Sequence, residues 1–376
     1  MVSLIALIAF AIPAIRNNER FPWPSFASIT TWAAMYFALH VIGMAWSANT
    51  GFGLFDLETK APLLVFAAIA CWVGAHGHAQ KGSVFAFVLG CVCSVFGHLA
   101  AALYRVAFCD APSVMAEFYS SAFTTPLHPS YLAVYLCVAV AAWYLTRAHA
   151  PWPAWADLSA LLVLCAGVVL SGSKAGWIML ALLLPLLLIW CWHVERTRWM
   201  LSSAIVGSAL FTGGLVAFWP SARERVMEAW SAASEKEHAV DASTSSEVRW
   251  ITWSAAWSLF TEAPMLGTGT GDIKDELVRV YQERGNNYAR ERRLNAHDQF
   301  LQSAACLGVL GLMSLLAMVL LPLFRPRAYG RLGVVVGLVW LVNMSVESML
   351  EVQSGTVFFG FCVLLLAGAT RTESPS

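Results

Sequence analysis

Charge is scarce in this chain. Lys, Arg, Asp and Glu make up 12% of its 376 residues, about half of the ~25% usual in a soluble domain. Basic and acidic residues balance at 23 each, so there is no cationic excess for a nucleic-acid backbone, and no nucleic-acid partner is expected. A disulfide framework is also missing. Cys71, Cys91, Cys93, Cys137, Cys165, Cys191, Cys306 and Cys362 lie in apolar runs, and Cys109 has no loop partner; no zinc spacing occurs either. No candidate external loop carries Asp-x-Asp, and His-x-x-Glu and His-x-x-x-His are absent near the polar segment discussed below. No metal and no cofactor are therefore expected.

Apolar residues are abundant, at 59%, and mean hydropathy is +0.64. A helix needs about 20 apolar residues to cross the hydrocarbon core. Candidate spans are 2–15, 26–47, 60–77, 82–106, 128–147, 153–171, 174–193, 199–219, 303–323, 329–347 and 354–370. The first is as short as a signal-peptide core but lacks a basic leader and a small-residue cleavage site, so it reads as a retained span. The seventeen tryptophans fit interfacial aromatic belts. The expected fold is an all-α polytopic membrane protein with about 11–12 transmembrane helices and one large external loop containing amphipathic helices. Its parts are an N-terminal bundle of about eight spans (1–219), the loop (220–296), C-terminal transmembrane helices (297–370) and a short tail (371–376).

Orientation follows from Lys and Arg. One set of alternate loops holds Arg16, Arg20, Lys81, Arg147, Arg196, Arg198, Arg325, Arg327, Arg331 and Arg371; the other holds Lys60, Arg105 and Lys174, beside Asp56, Glu58, Asp110, Glu117, Glu347 and Glu351. The first set is expected to be cytoplasmic, which puts the 220–296 segment outside. In a bacterium that is the periplasm, where nucleotide-activated sugars are absent and a donor must be membrane-borne.

The long segment has helical grammar. Thr244 and Glu247 have capping-box spacing, and Trp250, Trp253, Trp257 and Phe260 recur at helical intervals before Pro264 stops the helix. The expectation is an amphipathic helix on the bundle or in the interface. Arg249 falls in its first turn, where a cation opposes the helix dipole by roughly 0.3–1 kcal/mol unless an anion offsets it. Gly267-Thr268-Gly269-Thr270-Gly271-Asp272 lacks a preceding strand and a Gly-Lys-Ser/Thr ending, so a structural turn is favoured over a nucleotide loop; the N–H groups of Gly269 and Gly271 remain candidates for touching a phosphate or sugar. A helix over about 272–285 leads into a basic run. Five Arg between 279 and 293, Arg290 and Arg293 among them, outnumber Glu283 and Glu291, giving a candidate diphosphate-docking surface.

His297 stands where this segment returns to an apolar run. A titratable base beside fixed cations at a membrane boundary suits lipid-linked phosphate chemistry, and Asp298 adds a carboxylate next to it. Lys174, after Ser171-Gly172-Ser173, begins an otherwise hydrophobic span; ionisable residues at such places are costly and often functional, although a snorkelling Lys is the plainer reading. His128, before Pro129 at a helix first turn, is either an N-cap neighbour or a substrate contact. His40, deep in a span, reads as a packed core histidine.

Together these motifs resemble the O-antigen ligase and O-antigen polymerase superfamily. The resemblance rests on Ser173-Lys174, on Arg249 with Pro264-Met265-Leu266-Gly267-Thr268-Gly269-Thr270-Gly271-Asp272, and on His297-Asp298-Gln299-Phe300-Leu301. It covers roughly 170–320 in motif and the whole chain in hydropathy. Two departures stand out: Lys174 occupies the place of the usual Arg, which loses bidentate phosphate geometry, and Asp298 that of the usual Asn. The resemblance implies a GT-C-like, metal-independent, inverting glycosyltransferase of the bacterial inner membrane with a periplasmic site. Its donor is a glycan on undecaprenyl diphosphate and its acceptor a sugar hydroxyl of lipid A–core, among membrane lipids. His297 would be general base, and Arg249, Lys174, Arg290 and Arg293 would hold the diphosphate. An O-antigen polymerase, using a second lipid-linked glycan as acceptor, is the nearest alternative. A protein O-oligosaccharyltransferase would be expected to carry a C-terminal soluble region, and a transporter would place charges at the midplane on broken helices.

Overall fold

The computed structural model describes residues 26, 28–73, 80–109, 113–146, 153–224, 226–227 and 245–369. The expected span at 2–15 and the cap residue Thr244 lie outside them. The long helices are α1 (Ile29–Gly43), α2 (Thr50–Val73), α3 (Gln80–Phe108), α4 (Pro129–Thr146), α5 (Ala154–Leu170), α6 (Lys174–Trp190), α7 (Glu195–Phe218), α8 (Ser245–Glu262), α9 (Ile273–Glu283), α10 (Gln299–Phe324), α11 (Pro326–Met344) and α12 (Gln353–Ala369). No strand occurs among the described residues. Residues 29–46, 84–108, 195–218 and 299–324 are long and apolar enough to cross a membrane, and α4, α5, α6 and α12 contribute shorter apolar helices. The protein is an all-α polytopic membrane protein, and each of the ten expected spans after the first coincides with a helix.

One boundary differs. The span expected at 60–77 begins at Thr50, a full ten residues earlier. Asp56, Glu58 and Lys60 read as loop charges because hydropathy penalises them. In the helix, Asp56 and Lys60 are one turn apart and pair with each other, and Lys60 also meets Glu351 at 3.2 Å. Lys60 is fully buried, so it belongs to neither set of loop cations.

The chain forms two compact units that are not consecutive in sequence. One contains residues 1–80 and 236–376, the other 81–235. In the first, α12 packs along α2 and α10 against α1, α11 and α8. In the second, α4 packs on α5 and α6, and α7 on the same two helices.

The segment before α10 is a packed helical subdomain. Ala255, Ala256 and Leu259 of α8, Leu277 and Tyr281 of α9, and Ala305 and Leu307 of α10 share one buried cluster. The inward face of α8 carries the small residues Thr252, Ala255 and Ala256 beside Leu259, whereas Trp250 and Trp257 of the aromatic stripe are 48% and 55% exposed. That inverts the pattern of a soluble amphipathic helix. In a membrane setting small residues allow close helix approach, and aromatics belong at the outer, interfacial face.

The glycine-rich turn is stitched to α10. Gly308 leaves helical geometry (φ 65°, ψ −156°), and the opened backbone exchanges bonds with the turn: Val309 N donates to Pro264 O at 2.8 Å, Thr268 N to Ala305 O at 2.9 Å, and Gly269 N to Cys306 O at 2.9 Å. A side chain at Gly308 would lie 2.4 Å from the Met265 carbonyl, and one at Gly267 equally close to that of Cys306. Both positions need glycine for close approach and for positive φ.

Candidate active site

His297 sits just before α10. Asp298 is the N-cap, accepting from Leu301 N at 2.8 Å, which ends the extended backbone and starts the helix. His297 itself has φ +49°, an uncommon state for a residue with a side chain. Three contacts hold it there. Its N–H donates to Asn295 Oδ1 at 3.1 Å, its carbonyl accepts from Trp253 Nε1 at 3.3 Å, and the preceding Ala296 carbonyl accepts from Thr252 Oγ1 at 3.0 Å. Strain held in place by surrounding contacts is often found at functional sites.

The imidazole Nδ1 lies 3.3 Å from Glu347 Oε1. Glu347 follows α11 and is almost wholly buried. Its other oxygen faces Arg249 Nη2 at 3.9 Å, and Arg249 Nε donates to the neighbouring Val346 carbonyl at 2.9 Å. A base, a carboxylate and a guanidinium from three separate stretches thus meet at one point. An Nδ1–H donated to Glu347 leaves the Nε2 lone pair as the proton acceptor.

Beneath this group lies a polar network. Gln299, the first residue of α10, donates to Glu351 Oε1 at 3.2 Å and accepts from Leu350 N at 2.6 Å. Gln299 also reaches Tyr36 Oη at 3.4 Å, and Tyr36 bonds Ser303 Oγ at 2.7 Å. Gln299 therefore ties the 345–352 connection, which carries Glu347, to the helix that begins beside His297. His40 is packed in the core as expected, with Nδ1 2.9 Å from the Tyr36 carbonyl.

The other expected site residues have varied settings. Arg293 (φ +47°) pairs with Asp275 at 2.6 Å; hydrogen bonds from Asn49 and then Arg293 hold that carboxyl below its usual range. Arg290 is 4.0 Å from Glu291. Arg279 is gripped by Glu276, Glu283 and Glu262, the first two of which hold its pKa above the ordinary value. The local cation excess read between 279 and 293 is thus largely met by carboxylates outside that window. Gly269 N is committed to Cys306 O and Gly271 N donates to Ser47 Oγ at 2.9 Å, while Asp272 accepts from Ala48 N and Asn49 N at 2.8 and 2.7 Å. The turn joins the 44–49 loop to α10. Burial, opposed by the bonds from Leu301 and Phe300, pushes the Asp298 carboxyl up to about 6, and the role its contacts define is a cap.

Lys174 and His128 belong to the second unit. Lys174 is the first residue of α6, behind the N-cap Ser173, whose hydroxyl accepts from Gly176 N at 3.1 Å. His128 lies at the start of α4, its Nδ1 accepting from Ser130 N at 3.3 Å, which is the N-terminal structural role weighed for it.

Glu347 was not foreseen as a site residue. Its only trace in the sequence is a carboxylate at the end of a span, on the same side as His297; the fifty-residue separation hides the pairing.

No curated protein matches the chain. Residues 159–316 match the family model described as O-Antigen ligase. The matched stretch contains Lys174, Arg249, the glycine turn and His297, so this part of the chain is similar to the O-antigen ligase family.

Proposed function

We propose that this protein is an O-antigen ligase that transfers a finished polysaccharide from undecaprenyl diphosphate to a sugar hydroxyl of lipid A–core on the periplasmic side of the bacterial inner membrane. The observation that carries the reading is the His297–Glu347–Arg249 constellation. The acceptor hydroxyl oxygen forms a bond to the anomeric carbon of the donor as the carbon–oxygen bond to diphosphate breaks. The diphosphate leaves with that electron pair, and the hydroxyl proton passes to His297 Nε2. Attack opposite the leaving group inverts the anomeric centre. Glu347 holds the imidazole and stabilises the imidazolium that forms, as an orienting carboxylate does in other base-catalysed transfers. The leaving group needs fixed positive charge more than a proton donor; Arg249 is the cation assigned to it, with Arg290 and Arg293 as outer contacts. No step is routed through a metal.

The test is His297→Ala in a strain that makes both lipid-linked polymer and lipid A–core. General-base help is worth about 10²–10⁴-fold, so attachment to lipid A–core should fall by that order while lipid-linked polymer accumulates. If polymer length collapses instead, the acceptor is a second lipid-linked glycan and the chain is the polymerase.

A further inference from the structure

The start of α10 carries two buried glutamines that take no part in the transfer chemistry. Gln299 and Gln302 are 0% and 3% exposed, and a spacing of three residues places them on one helix face. Each amide oxygen accepts a backbone N–H from a different facing segment. Gln302 Oε1 accepts from Ala296 N at 3.0 Å, and Gln299 Oε1 accepts from Leu350 N at 2.6 Å. Ala296 directly precedes His297, and Leu350 follows closely on Glu347. One amide therefore fixes the histidine side of the His297–Glu347 contact, 3.3 Å between Nδ1 and Oε1, and the other fixes the carboxylate side.

Neither segment is set by a long helix of its own. His297 stays at φ +49°, and both backbone groups of Ala296 are gripped, the N–H by Gln302 and the carbonyl by Thr252. Glu347 lies between the end of α11 at Met344 and the short 3-10 turn Met349–Glu351. Gln299 reaches that turn twice, through Leu350 N and through Glu351 Oε1 at 3.2 Å, and Glu351 is itself braced by Lys60. An imidazole and its carboxylate act together only when held close to one geometry, and a helix face fixes that better than a loop.

We propose that Gln299 and Gln302 are positioning residues, two buried brackets on α10 that set the separation of His297 and Glu347 without touching substrate. Their effect on rate rests on the reading that His297 is the base of the transfer; the brackets themselves belong to the folded chain.

The test uses the full chain in nanodiscs with Gln299→Met and Gln302→Met, which keep the side-chain length and remove the amide oxygen. A misplacement of about 1 Å at reacting groups costs on the order of 10²-fold, so kcat should fall by that order in each variant with donor KM near its starting value. Glu347→Gln added to Gln299→Met should cost little beyond Glu347→Gln alone, because residues that act through one another do not add. Losses that multiply would overturn the proposal. Gln299→Glu combined with Glu351→Gln exchanges the partners: a carboxylate then accepts from Leu350 N and an amide donor faces it. That pair should retain most of the parent's kcat, and a loss as deep as that of Gln299→Met would count against the brackets. Nitrogen NMR of histidine-labelled protein supplies a readout that needs no reaction. With the His297 signal identified by its loss in His297→Ala, both Met variants should move the Nδ1 signal in the direction that Glu347→Gln moves it. An unmoved signal would overturn the proposal whatever the reaction. A moved signal in a protein that attaches no polymer to lipid A–core would defeat the ligase reading and leave the brackets standing.

Discussion

Glu347 and Glu351 lie four residues apart on the connection between α11 and α12, and their side chains are nearly equally buried, at 6% and 12% exposure. Their partners differ in kind. Glu351 faces Lys60, a cation with 1% exposure that also holds Asp56, and the amide of Gln299. Glu347 faces His297 and Arg249, whose side chains keep 24% and 21% of their surface. A buried carboxylate with wholly buried partners serves the fold; one whose partners reach the surface can serve a reaction. Burial alone would have ranked the two together, and it is the access of the partner that separates them.

The largest effect expected from breaking this contrast is on stability. Lys60→Met leaves Asp56 and Glu351 facing each other without their cation, and loss of one member of a buried ionic group costs about 3–5 kcal/mol. The thermal midpoint of the purified protein in detergent should drop sharply, and Lys60→Met combined with Glu351→Gln should lose less than Lys60→Met alone. An unchanged midpoint in the single variant would show that the network does not brace the fold.

Glu347→Gln probes the other side. The amide keeps the shape and loses the charge that would stabilise a protonated His297. Replacing the carboxylate that orients the imidazole of a Ser-His-Asp triad by its amide costs up to about 10⁴-fold, so kcat should fall by as much as that order with KM near its starting value, the pattern of an interaction made chiefly in the transition state. The thermal midpoint should move much less than in Lys60→Met. A midpoint drop matching the activity loss would place Glu347 with Glu351 as a structural group and erase the distinction.

Features set by local chemistry were legible before the structure. Pro264 stopping α8, the glycine turn and the position of His297 ahead of an apolar helix all follow from neighbours within a few residues. The Glu347 pairing was not legible, because periodicity identifies faces and says nothing about which faces meet. Lys60 was misread for a related reason: a hydropathy scale scores a charge by its isolated cost, and the cost at Lys60 is offset by carboxylates one turn away and nearly 300 residues away. The aromatic stripe of α8 is legible as one face, but the sequence leaves open whether that face meets the bundle or the interface. In lipid the packing face is the one with small residues, and Thr252, Ala255 and Ala256 carry it.

The smallest effect separates the cap from the base. Asp298 adjoins His297 in sequence, yet its contacts are the amides that open α10. Burial raises its carboxyl to about 6 in the folded protein, against about 3.9 for an unfolded aspartate. A raised folded value favours the neutral form. Its contribution to stability is fully present below pH ~3.9 and is lost as pH climbs toward 6, because the unfolded chain ionises first. Asp298→Asn keeps a competent cap and removes the titration, so the thermal midpoint of the variant should lose this decline between pH 4 and 6 and lie slightly above the parent at pH 7. Transfer activity at pH 7 should stay close to that of the parent. A large loss of activity in Asp298→Asn, with the midpoint preserved, would move Asp298 from the helix cap into the reacting group alongside His297 and Glu347.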